Sequence, residues 1–173
     1  MNDARRNEHG RWIRTAVEQF EGPLLRYAVQ FTGNLDTSRD VVQDTFLRLC
    51  DENEQDLDGH LAQWLFTVCR SRAIDQQRKD KRMKSMTLDQ AERQPTSGQS
   101  QVDIVQSSEE LQRVEQLLAD LSENQQEVIR LRFQNGLSYK EISHVTNLKV
   151  SNVGYLLHTA IQKIRGQMNA ETS

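Results

Sequence analysis

Between Leu137 and Arg165, several side chains that fall off the apolar stripe are of the kinds that read base edges. Asn152 can pair with adenine, the hydroxyls of Ser151 and Thr159 can serve purines or pyrimidines, and Gly154, Tyr155 and His158 share that side of the segment. Lys140, Lys149, Lys163 and Arg165 are placed to contact phosphates. A second cluster follows Trp64 and Phe66, where Arg70, Arg72, Arg78, Lys79, Lys81, Arg82 and Lys84 supply seven cations. Melted nucleic acid needs aromatic faces for its bases and cations for its backbone. Trp64 lies on an apolar stripe and reads as core, whereas Phe66 lies off it and is the freer stacking surface. Catalysis finds no foothold: the chain shows no Ser/His/Asp or Cys/His arrangement, no paired carboxylates and no glycine-rich phosphate loop. With two cysteines, no CxxC and no clustered histidines, it offers neither a zinc site nor a disulfide framework, and Cys50 and Cys69 read as small hydrophobes in helices. His9, His60 and His144 read as surface or packing residues.

The elements that must position these residues are helical. Leu24, Tyr27, Ala28 and Phe31 recur at helical spacing after Pro23, a suitable first helical residue, and before Gly33 as a stop, which predicts about three turns. Asp36 or Thr37 can cap a second helix whose stripe is Val41, Val42, Thr45, Phe46 and Leu49. Leu61, Trp64, Leu65 and Val68 open a third that runs on into the basic extension. A polar stretch around Pro95 to Gln101 has too little apolar surface to bury. Beyond it, Ser122 with Gln125 and Ser138 with Glu141 form two capping boxes. Val128, Ile129, Leu131 and Phe133 make one stripe; Val150, Val153, Leu157, Ala160, Ile161 and Ile164 make the last, after a turn at Thr146-Asn147. Short capped helix, turn and longer helix form the helix-turn-helix pattern. The expected fold is therefore all-α, two small helical domains over 10–85 and 110–166 joined by a flexible linker, 86–109.

Composition agrees. Of 173 residues, 36% are apolar and 27% charged, and 8 Gly with 2 Pro are too few for turn-rich β architecture. No apolar run is long enough to span a membrane, and the arginine-bearing start lacks the apolar core of a secretory signal, so the cytoplasm is the expected location and no membrane insertion is expected. The net charge of −3 hides a segregation in which acidic 36–58 precedes basic 59–85 and acidic 103–127 precedes basic 128–165.

Two motif sets carry a resemblance to a family. Pro23-Leu-Leu-Arg-Tyr-Ala, Thr32-Gly33, Asp40-Val-Val-Gln-Asp-Thr-Phe-Leu-Arg-Leu49 and Trp64-Leu-Phe-Thr-Val-Cys-Arg-Ser-Arg-Ala-Ile-Asp75 resemble the second region of bacterial extracytoplasmic-function sigma factors. Leu121 to Phe133, Gly136-Leu-Ser-Tyr-Lys-Glu-Ile142 and Leu157-His158 resemble the fourth. The resemblance implies a non-enzymatic, cofactor-free subunit that directs RNA polymerase to promoters and assists melting. Its implied partners are RNA polymerase core and promoter DNA, with an anti-sigma factor as a further candidate. Asp40, Gln43, Asp44 and Arg48 would dock on polymerase. Phe66, Arg70, Ser71, Asp75, Arg78, Lys79, Lys81 and Arg82 would meet the −10 element, and Lys140, Lys149, Ser151, Asn152, Tyr155, His158, Thr159 and Lys163 the −35 element. Ser71 stands where the family commonly has Asn, and Gly154, Leu156, Thr159 and Ile161 where it often has Lys or Arg. The competing readings are a freestanding helix-turn-helix regulator, which leaves the first domain without a role, and a sigma-like adaptor or decoy that does not bind DNA.

Overall fold

The computed structural model describes residues 3–87 and 108–173. Residues 88–107, most of the expected linker, lie outside the described residues. The chain divides into two compact units, 1–102 and 103–173.

The first unit packs three helices, α1 (Asp3–Thr32), α2 (Leu35–Leu49) and α3 (Leu61–Thr87), each against both others. α1 is much longer than the three turns expected, and Pro23 lies inside it. Proline removes one intrahelical hydrogen bond, but the buried face continues across it, from Ala16 to Leu24, Tyr27 and Ala28, so packing holds the helix together through the break. Gly33, with φ of 62°, turns the chain into α2. Asn34, and neither Asp36 nor Thr37, is the cap: its side chain accepts from the Thr37 N–H at 3.0 Å. The α2 stripe is buried at Val41, Val42, Thr45, Phe46 and Leu49.

In α3 the buried face is displaced from the expected stripe. Leu65, Phe66, Cys69 and Ala73 are buried, while Leu61, Trp64 and Val68 are only half-buried. The reason is that α3 faces two helices at once. The Phe66 ring packs edge-on against Tyr27 of α1, with centroids 5.2 Å apart, and Cys69 sits between the Leu24 carbonyl of α1 and Thr45 of α2.

The second unit contains α4 (Glu109–Ala119), α5 (Glu123–Ile129), α6 (Tyr139–Thr146) and α7 (Val150–Thr172). Both expected capping boxes form, Ser122 with Gln125 and Ser138 with Glu141. α5 runs into a π-helical turn, Arg130–Gln134, which rotates Phe133 out of the expected stripe and leaves it 64% exposed. Arg130 is buried there and makes a bidentate pair with Glu115, 3.2 Å on each arm, tying α4 to the rest. Asn147 adopts the left-handed conformation, φ 62°, that separates α6 from α7. Val128, Leu131, Leu137, Ile142, Val153 and Leu157 form the centre of the core.

Cys50 departs from its expected role, since it caps α2 and is exposed. Burial pushes the Cys69 thiol up to about 12, against a hydrogen bond with Thr45 that lowers it. A thiolate is the reactive form. At pH 8 a thiol-alkylating reagent should therefore modify Cys50 in the folded protein and reach Cys69 only after unfolding, as peptide mass analysis will show; equal labelling of both would contradict this packing.

Candidate nucleic-acid and protein interfaces

α7 must bury Val153, Leu157 and Ala160. With 3.6 residues per turn, the side chains opposite that face are Ser151, Tyr155 and His158, and all three are exposed. Asn152 is exposed on their flank, with Lys149 at the N-cap and Lys140 on α6. The structure thus brings seven of the eight residues assigned to the second interface, Lys163 among them, onto accessible surface of α6 and α7. Two of the eight also have partners within the unit. Thr159 accepts a hydrogen bond from Gln125 Nε2 of α5 at 3.0 Å and donates to carbonyls in its own helix. Lys163 donates to the Asp120 carbonyl at 3.3 Å, beside Gln167, which bonds the Asp120 carboxylate. Both residues hold α7 to the α4–α5 corner. Val150, expected in the buried stripe, is 45% exposed because it opens the helix ahead of the first turn that packs on the core.

On α3 the geometry corrects the stacking assignment. Phe66 is 1% exposed and cannot meet a base. Trp64 of α3 and Phe31 of α1 are half-buried, the latter with the Arg70 guanidinium 5.8 Å from its ring centroid. The sequence carried no sign of this pairing, because Phe31 also fits the α1 stripe. Ser71, Asp75, Arg78, Lys79, Lys81 and Arg82 are exposed along the helix. Past Ala73 no residue of α3 is buried, so the basic end presents its charges all round.

On α2, Asp40, Gln43 and Arg48 are exposed, but Asp44 also bridges two helices. Its Oδ2 lies 3.4 Å from Arg48 Nε and 2.9 Å from Arg72 Nε of α3. Beside this face lies a groove of about 510 Å³ between α1 and α2, lined by Ile13, Val17, Leu25, Val42, Gln43 and Leu47 among others. Leu47 is 61% exposed at its edge. The groove is missing from the sequence reading because its walls come from helices whose crossing the sequence does not specify; an exposed leucine beside the acidic positions is the one local trace. Among the described residues no group of His, Cys, Asp or Glu is arranged to hold a metal, and no helix is long and apolar enough to cross a membrane.

Comparison with known proteins places family models on both units: sigma-70 region 2 matches residues 16–83 and sigma-70 region 4 matches 111–164. The chain is 29% identical over 155 residues to the ECF RNA polymerase sigma factor SigL of Mycobacterium tuberculosis, covering 88% of this chain and 86% of the relative. It is 25% identical over 156 residues to the ECF RNA polymerase sigma factor SigM of Bacillus subtilis, covering 88% and 92%. In fold it resembles the sigma factor RpoE solved with the anti-sigma factor NepR from Bartonella quintana, with a TM-score of 0.65, 21% identity, and 90% and 96% of the two chains covered.

The double pairing of Asp44 separates two neighbouring carboxylates. Asp44→Lys removes both ion pairs and sets a cation against Arg48 and Arg72, so it should cost about 1 kcal/mol of stability. Asp40→Lys should change stability by less than about 0.5 kcal/mol. Urea midpoints of the two variants measure the difference, and equal midpoints would remove the bridging role from Asp44.

Proposed function

The chain belongs to the sigma-70 family, in its extracytoplasmic-function class, and on that premise we propose how its surfaces divide the work of a sigma factor. It directs RNA polymerase to promoters, binding both polymerase and promoter DNA. The observation that supports this division best is the separation of three kinds of surface: a helix with a polar exposed face in one unit, and a groove-bearing helix with exposed aspartates beside a basic helix in the other.

The α2 face and the adjoining groove dock on RNA polymerase core. Asp40, Gln43 and Arg48 provide polar contacts, Leu47 the apolar anchor, and Asp44 both a contact and the fastening to α3. Acidic groups on a DNA-binding protein repel the nucleic acid, so a protein partner accounts for them. Arg70, Ser71, Asp75, Arg78, Lys79, Lys81 and Arg82 line the path of the −10 element and assist its melting, with the half-buried Phe31 and Trp64 as the partly accessible rings in place of Phe66. Lys140, Lys149, Ser151, Asn152, Tyr155 and His158 read the −35 duplex. An anti-sigma factor, the partner in the RpoE structure, would compete for the same docking surfaces. The site of action is the cytoplasm, and the role is non-catalytic, as is usual for the family.

Transcription from a cognate promoter by purified core polymerase plus this protein tests the reading as a whole; no promoter-specific transcript would refute it. Within that assay, Asp40→Lys with Leu47→Glu should weaken core binding by roughly tenfold or more, since like-charge contact and an unpaired carboxylate in an apolar seat each cost kilocalories. Undiminished co-purification with core would move the docking surface elsewhere.

Neutralising Arg78, Lys79, Lys81 and Arg82 to Gln together should flatten the salt dependence of holoenzyme binding to promoter DNA. Each lost phosphate contact lowers the slope of log affinity against log salt by ~0.7–0.9. Base preference should stay as it is. An unchanged slope would take these cations off the phosphates.

A further inference from the structure

The reading face of α7 has a gap in its row of side chains at Gly154. A Cβ placed there would lie 3.7 Å from Cε2 and 4.0 Å from Cδ2 of Tyr139, so the edge of that ring stands beside bare helix backbone. Tyr139 belongs to α6 and is 43% exposed. Its ring is held in place: the Arg132 guanidinium lies 5.5 Å from the centroid, and Arg132 in turn donates to the Leu137 carbonyl at 3.0 Å. One turn before Gly154, and on the same side of α7 by the i, i+4 rule, is the exposed Val150. The result is a small notch whose floor is glycine and whose sides are the carbon edge of Tyr139 and the Val150 side chain. The backbone groups of the floor are paired within the α-helix, so Gly154 itself adds no free donor or acceptor to the notch.

Among the groups that base pairs present in the major groove, the 5-methyl of thymine is the apolar one. We infer that the notch between Gly154, Tyr139 and Val150 receives the methyl group of a thymine in the −35 element. Specificity at that position then comes from carbon contact and from a residue outside the recognition helix, while Asn152 and its polar neighbours act at other positions. This inference rests on α7 reading the −35 duplex.

The test uses holoenzyme formed from the full chain and core polymerase. A −35 element is first selected from a randomised promoter library, and each of its thymines is then replaced in turn by deoxyuridine, which removes the methyl and leaves base pairing intact. At one position the replacement should weaken binding about three- to fourfold, the value of one buried methyl-sized group. Tyr139→Ala with Val150→Ser, both at exposed positions, should abolish that thymine/uracil difference, whereas Asn152→Ala should keep it. If an element is selected but wild-type holoenzyme tolerates every replacement, the notch is not a methyl site; this comparison needs no variant and does not depend on any variant folding. Retention of the full difference in the Tyr139→Ala/Val150→Ser protein overturns the proposal in the same way. Selection of no −35 preference at all would instead overturn the reading on which it rests.

Discussion

The packing of Val153, Leu157 and Ala160 into the second core is the constraint on which the exposed face of α7, the proposed reading surface, depends. A helix has one angular period, so burying these three determines which residues remain outside. Ser151, Tyr155 and His158 reach the opposite side by that geometry alone. The remaining freedom, rotation and tilt of α7 over the core, is removed by polar ties: Gln125 to Thr159, the Asp120 corner to Lys163 and Gln167, and Arg113 to Glu171. Thr159 and Lys163 thus help to position the exposed side chains of α7. Arg132 and Tyr139 perform the matching task on the α6 side, where the ring lies beside Gly154.

The first unit meets a related demand with charge. α2, with three aspartates against two arginines, is packed beside the strongly basic α3, and Asp44 with Arg72 makes a charge contact between them. That pair is half-exposed and contributes little to stability by itself. Its effect is to tie together two surfaces of different character, to which the proposed function gives different partners, protein for α2 and nucleic acid for α3. The core beneath is apolar and crowded where the helices converge, with Leu24, Leu49, Leu65, Phe66 and Cys69 essentially sealed from solvent. Charge therefore determines what each face can meet, and packing determines where the faces lie.

Local chemistry in the sequence was enough to determine the all-helical class, the α2 stripe, the capping boxes at Ser122 and Ser138, and the turn at Asn147. Each depends on residues within about four positions of one another, and that range is what periodicity and capping express. The family motifs were equally legible, because they are runs of residue types. Tertiary structure alone decided which of Trp64 and Phe66 is buried, since α3 packs against two helices and its inward face is the sum of both contacts. It carried α1 through Pro23, because burial on either side outweighs one missing hydrogen bond. It also tied Thr159 to Gln125 and the exposed Lys163 to the Asp120 carbonyl, opened the groove beside Leu47 and brought Tyr139 to Gly154. All of these pair residues from different helices, and such pairings follow from how helices cross, a quantity that no single helix encodes.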